Sequence, residues 1–159
     1  MSTKAGQSQG GTWFGAAVKR KEDAALLTGR GRYVDDVSLP GMLHAALVRS
    51  PHAHAAIRSI DTAKAEAHPG VHAVLTWVDL PEVMREQRLP LYVPNPAIRQ
   101  VRMQHVLARD EVCLVGEPVA VVVADSRYIA EDAALLVDVD YEILPVVSDV
   151  RAAVEAPTI

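Results

Sequence analysis

The stretch from Gly116 to Asp125 narrows the choice of fold more than any other part of the chain. From Val119 to Ala124 it is unbroken apolar sequence, rich in β-branched side chains, with Gly116-Glu117-Pro118 before it and Asp125 after it. Such a run is too short for a buried helix and predicts a strand covered on both faces. A charge at Val121 is therefore expected to unfold the domain. After Asp125 the period changes. Ile129, Ala133, Leu136 and Val137 stand at i, i+4, i+7 and i+8, the stripe of a helix lying on a sheet. Ser126 is placed to cap it, with Glu131 and Asp132 toward water. The period changes again at Val137, where apolar Val139, Tyr141 and Ile143 alternate with Asp138, Asp140 and Glu142. That alternation predicts a strand with one solvated face. Strand, helix and strand together predict a compact β-α-β unit over residues 117–143, the nucleus of an α/β layer.

The whole chain of 159 residues is long enough for one domain that buries roughly two-thirds of its unfolded surface. A net charge of -4 and an aromatic content of 4% exclude a nucleic-acid binder. The basic cluster Lys19, Arg20, Lys21, Arg30 and Arg32 is diluted by Glu22, Asp23, Asp35 and Asp36. The single cysteine, Cys113, rules out an internal disulfide framework and suits a reducing compartment, so a cytoplasmic location is expected. No apolar run is long enough to span a membrane, and the polar first residues show no secretory-signal pattern, so none is expected.

Residues 1–16 form an expected flexible lead-in, polar and glycine-rich as far as Thr12 and ending in an apolar patch at Trp13-Phe14. Residues 17–159 form the domain. Arg20 to Leu27 predicts one or two helical turns capped at Gly29. Gly29-Arg30-Gly31 lacks the third glycine of a dinucleotide-binding fingerprint and predicts a turn into a strand at Tyr33–Val37. Met42 to Val48 predicts a strand inside the sheet, interrupted only by His44, and Pro51 stops it. A further strand at 56–61, a helix at 63–67 and a strand at 71–77 follow. Asp79 with Glu82 has the spacing of a capping box. Residues 89–104 carry Pro90, Pro94 and Pro96, with Arg99 and Arg102 and no carboxylate, and predict a variable surface loop. Val150 and Val154 predict a short final helix.

Three groups carry the chemistry that the residues offer. His52 and His54, with His44 upstream, point the same way if the backbone is extended. A catalytic zinc site needs a third ligand supplied by the fold, so loop packing competes with metal binding there, and no metal site is assigned. Asp138, Asp140 and Glu142 are expected to be a solvated strand face rather than an acid–base pair, which needs carboxylates in differing environments. Cys113, between Val112 and Leu114, is expected to be a buried, inert thiol. No catalytic or cofactor-binding residue is assigned from these patterns.

Several segments resemble one family in consistent order. They are Lys21-Glu22-Asp23, Leu27 to Asp36, Arg49-Ser50-Pro51-His52-Ala53-His54-Ala55 and Ile60-Asp61-Thr62. Val115 to Ala120, Ala130 to Ala134 and Val139 to Pro145 continue the series. Together they resemble the N-terminal α/β hammerhead domain of the molybdenum-binding large subunit of the xanthine dehydrogenase, aldehyde oxidase and carbon monoxide dehydrogenase family. The resemblance implies an α+β fold, a mixed sheet with short helices packed on it. It implies an N-terminal structural segment or split subunit of a molybdopterin-dependent hydroxylase, which oxidises a small organic substrate with oxygen from water. The family's glutamate base and pterin-binding loops have no matching position here, so the chain alone is expected to be inactive and to bind no cofactor. The implied complex holds molybdopterin, as its cytosine dinucleotide, with 2Fe–2S clusters and FAD. Its expected partners are a molybdopterin-binding domain or chain, an iron–sulfur subunit and an FAD subunit. Gly116, Glu117 and Pro118 are the expected inter-domain contact. A free-standing assembly module with the same fold and no catalysis is the competing reading.

Overall fold

A computed structural model describes residues 19–90 and 103–155 of the chain, which divides into two units, Met1–Pro40 and Gly41–Ile159. The lead-in, the Trp13-Phe14 patch, Arg99 and Arg102 lie outside the described residues.

In the first unit, helix α1 (Asp23–Leu27) ends where Gly29 takes φ 67°, as the sequence predicts. The strand expected at Tyr33–Val37 is instead a 3₁₀ turn at Val34–Asp36. Asp36 explains the difference: its Oδ2 accepts a 2.8 Å hydrogen bond from the Tyr33 amide, and that local bond competes with an extended ladder.

The second unit holds two three-stranded sheets. In chain order they are built from β1 (His44–Arg49), β2 (Ala55–Asp61), α2 (Ala63–Glu66), β3 (Val71–Leu75), α3 (Glu82–Glu86), β4 (Glu111–Val112), β5 (Pro118–Ala124), α4 (Arg127–Ala134), β6 (Asp138–Ile143) and α5 (Ala152–Glu155). One sheet has the order β1-β5-β3 and the other β4-β2-β6. Every pairing is antiparallel. The α+β class expected from the resemblance is what the chain adopts, with two antiparallel sheets in place of one mixed sheet.

Strand, helix and strand do follow one another over 117–143, but β5 and β6 lie in different sheets. Helix length explains why. A parallel return must carry the chain back along β5, roughly 23 Å for seven residues. The eight residues of α4 cover only about 12 Å. The chain therefore leaves the first sheet and β6 pairs with β2. Ser126 caps α4 as expected, its Oγ accepting from the Ile129 amide at 3.3 Å. Asp79 does not cap α3, whose N-cap is Pro81. Its carboxylate accepts instead from the Thr76 amide and hydroxyl at 2.8 and 2.9 Å and closes a 3₁₀ turn at Trp77–Asp79.

The two faces of the β1-β5-β3 sheet differ. One carries Ala46, Val122 and Val74 across the three strands, and Val122 and Val74 join Ala65 of α2, Ala133 of α4 and Val137 in a closed core. Small alanines let both helices sit close to the sheet. The other face carries Leu47-Val121-Leu75 and Ala45-Val123-Ala73 in register. All six are apolar and none is buried; Leu47 is 42% exposed. The strand expected to be covered on both faces is thus buried on one and only partly covered on the other, where Val121 is half-buried. β1, expected inside the sheet, is its edge.

Val119 departs from this alternation. The register shifts between Val48, opposite Ala120, and Arg49, opposite Pro118. Val119 is the extra residue of this bulge, and such an insertion re-aims a side chain. Val119 is fully buried and joins Ala55, Ala108 and Val112 in a second core. Ile60 and Val139, opposite one another on β2 and β6, pack against both cores.

Asp138, Asp140 and Glu142 are exposed on β6, as the alternation predicts, and Glu142 pairs with Arg58 at 2.8 Å. Asp140→Ser is expected to change stability by less than about 0.5 kcal/mol in urea unfolding, the usual range for surface substitutions. A loss above about 2 kcal/mol would mean that this face is not solvated.

Candidate functional site

The strands of the second sheet bring three polar side chains together at one end. Ala55 stands opposite Val112 and Ala56 opposite Glu111 in the β2–β4 ladder. The ladder's register sets His54 across from Cys113, and side chains two apart on a strand share a face. His54, Glu111 and Cys113 accordingly meet, with His Nε2, a carboxylate oxygen and Sγ all within 4.8 Å of one another. His54 Nε2 is 3.6 Å from Glu111 Oε2. Its Nδ1 is 2.7 Å from the carbonyl oxygen of Pro145. The group opens onto a cleft of about 600 Å³ whose walls include Arg88, Gln104 and the Leu144–Val147 segment. Arg88 is held there by a 2.8 Å bond from its guanidinium to the Met103 carbonyl.

Cys113 is exposed, not buried as its apolar neighbours suggest. Partial desolvation pushes its thiol up, and the Glu111 and Glu117 carboxylates add to this against the opposing pull of Arg88. The expectation of a buried thiol is corrected by this exposure, and the surroundings of the thiol favour its protonated form. Alkylation of the metal-free chain with iodoacetamide is expected to show a pH midpoint above the ordinary cysteine value of about 8.5. A midpoint at or below that value would contradict the assignment.

His52 does not join His54. The Ser50 Oγ accepts from the His52 amide at 3.0 Å and donates to its carbonyl at 3.1 Å, so residues 50–52 form a turn rather than an extended pair. The His52 ring packs edge-on against Tyr141 at 5.0 Å. Tyr141 has a pKa raised by burial, partly offset by its hydrogen bond with Ser50. His44 stands in β1, opposite Ala124.

Gly116, Glu117 and Pro118 form the turn into β5, and its polar groups are engaged within the unit. The Gly116 amide donates to the Ser50 carbonyl at 2.8 Å, and the Ser50 amide donates to the Glu117 carbonyl at 2.9 Å. Arg49 donates to the Gly116 carbonyl at 2.8 Å, and the Ala108 amide donates to that of Pro118 at 2.7 Å. Gly116 has φ 87° with open space around its Cα, so the turn's left-handed backbone, not a close approach, requires glycine. Glu117 is 4% exposed, and its Oε2 accepts from the Cys113 amide at 2.6 Å. The residues presented outward beside this turn are Leu114 and Val115, 43% and 64% exposed.

A molybdopterin does not fit the cleft. Its wall combines the Glu111 carboxylate and an apolar segment with one guanidinium, a poor match for an anionic pterin phosphate.

Two small antiparallel sheets, joined through the short helices α2 and α4 and carrying one partly exposed apolar face, define an α+β module. The chain matches the family model described as aldehyde oxidase and xanthine dehydrogenase, a/b hammerhead domain, over residues 28–145, and it belongs to that family. It is 50% identical to the carbon monoxide dehydrogenase large chain of Afipia carboxidovorans, across 89% of this chain and 17% of that protein. It is 45% identical to the nicotine 6-hydroxylase large subunit of Paenarthrobacter nicotinovorans, with the same two shares. The solved quinoline 2-oxidoreductase from Pseudomonas putida 86 superposes with a TM-score of 0.78 at 49% identity, covering 91% of this chain and 18% of that one. The chain thus spans about one-sixth of the length of the curated relatives it matches. Among the described residues, no helix is long and apolar enough to cross a membrane.

Proposed function

We propose that this chain is the N-terminal scaffold segment, or a split subunit, of a cytoplasmic molybdopterin-dependent hydroxylase. One observation carries the reading: half of its residues are identical to a molybdenum-family large chain over 89% of its length, while five-sixths of that relative lies outside the match. The module supplies fold and contact surface, and the redox chemistry belongs to the cofactors of the whole assembly. That chemistry is hydroxylation of a carbon centre of a small organic substrate with oxygen from water, with electrons leaving through iron–sulfur clusters to FAD. The chain by itself is inactive and holds no molybdenum. Its partner, the pterin-binding domain or chain, packs on the apolar face of Leu47, Val121 and Leu75, with Leu114 and Val115 beside the Gly116-Glu117-Pro118 turn at the margin. A partly exposed, all-apolar sheet face of this kind supports an interaction surface.

Purification from the native source under mild conditions, followed by mass and molybdenum analysis of the intact assembly, tests the reading. The expected result is co-migration with pterin-, iron–sulfur- and flavin-binding components. A stable monomer of the chain's own mass, without molybdenum-containing partners, would overturn it in favour of a free-standing assembly module.

A further inference from the structure

The His54–Glu111–Cys113 cluster has a feature that a hydrogen-bonded surface group does not need. A carbonyl oxygen only accepts, so the 2.7 Å contact between His54 Nδ1 and the Pro145 carbonyl places the proton on Nδ1. In the neutral ring this leaves Nε2 as a bare lone pair, which stands 3.6 Å from the Glu111 carboxylate, another acceptor. A histidine whose far nitrogen donates to a backbone carbonyl is the usual arrangement behind a metal-ligating imidazole, because it fixes the tautomer and the ring orientation.

We propose that His54 Nε2, a Glu111 carboxylate oxygen and Cys113 Sγ form a site for a divalent transition metal of the zinc class. Nitrogen, oxygen and sulfur donors together suit zinc, with three protein ligands and an open fourth position. Bond lengths of about 2.0–2.3 Å in a tetrahedron put ligand atoms about 3.3–3.8 Å apart. The His54–Glu111 pair already meets that spacing. The wider separations, up to 4.8 Å, close by rotation of the exposed Glu111 and Cys113 side chains. Two anionic ligands and one neutral imidazole balance the charge of the ion. The fourth position faces the cleft, which leaves it open to water or a small anion. A metal held there ties β2 to the end of β4 and, through the Pro145 carbonyl, to the segment after β6. The inference is independent of the proposed function, since it rests on side chains of this chain alone.

Titration of the untagged, metal-free chain with Co²⁺ tests the site. Cys113 is the only cysteine, so any thiolate-to-cobalt charge-transfer band in the near ultraviolet reports it alone. The expected result is a saturable band at about one equivalent of Co²⁺, displaced by Zn²⁺. Cys113→Ser is expected to abolish the band, and Glu111→Gln to weaken Co²⁺ binding by about tenfold or more. Both side chains are exposed, so both variants are expected to fold, and circular dichroism checks that they do. No band in the wild-type chain, a band surviving in Cys113→Ser, or unchanged affinity in Glu111→Gln would each overturn the proposal.

Discussion

Val122→Asp is expected to abolish folding of the second unit, whereas Val121→Asp leaves it folded. The two residues are neighbours on the same central strand, and only the face distinguishes them. Val122 is fully buried between Ala46 and Val74, under the alanines of α2 and α4. A carboxylate there finds no countercharge and costs several kcal/mol or more, comparable with a total stability of about 5–15 kcal/mol. Val121 stands on the open face, where a carboxylate retains water, and its loss is expected near the ordinary 1–2 kcal/mol of a point mutant. Urea unfolding followed by far-ultraviolet circular dichroism separates the cases. Equal effects at the two positions would mean that the second face is as closed as the first. The same Val121→Asp variant is expected to lose its place in a native assembly, because the charge falls within the face proposed to receive the partner.

The second large effect is expected at Glu117. Its buried carboxylate accepts the Cys113 amide at 2.6 Å and holds the loop that follows β4 against the turn into β5. Glu117→Ala removes the acceptor and leaves an amide without its partner, at a cost of about 2–3 kcal/mol for a hydrogen bond to a charged group. Glu117→Gln keeps an acceptor at the same reach and is expected to recover more than half of that loss. Thermal unfolding of the three chains checks the ordering. If Ala and Gln behave alike, the hydrogen bond is not what holds the loop.

Local signals were legible where the chain itself supplies the partner. Ser126 caps α4 because its hydroxyl needs only the amide three residues on. Gly29 ends α1 for a similarly local reason. The apolar run of β5 was legible as a strand, but such a run does not reveal what covers each face. The partly exposed face of Val121 and Val123 and the edge position of β1 are for that reason not encoded in the run itself. The separation of β5 from β6 is encoded in the length of α4, which is too short to retrace β5. Of the three members of the candidate site, two have a local signal, since Glu111 and Cys113 at i, i+2 share a face in any strand. The third member depends on the register of β2 against β4, which no local pattern encodes. The pairing of His52 with His54 assumed extended backbone, and Ser50 folds that segment into a turn instead.

The position of Ile60 and Val139 bears on how the unit opens. Because this cross-strand pair belongs to both cores, neither sheet separates without uncovering side chains of the other. Amide protons in the middle of β5 and in the middle of β2 should therefore exchange with solvent at a common, slow rate set by whole-unit opening, while the open-edged β1 exchanges through smaller fluctuations. A module with that property unfolds as one piece rather than by peeling apart, which leaves few partly open forms for a protease to find.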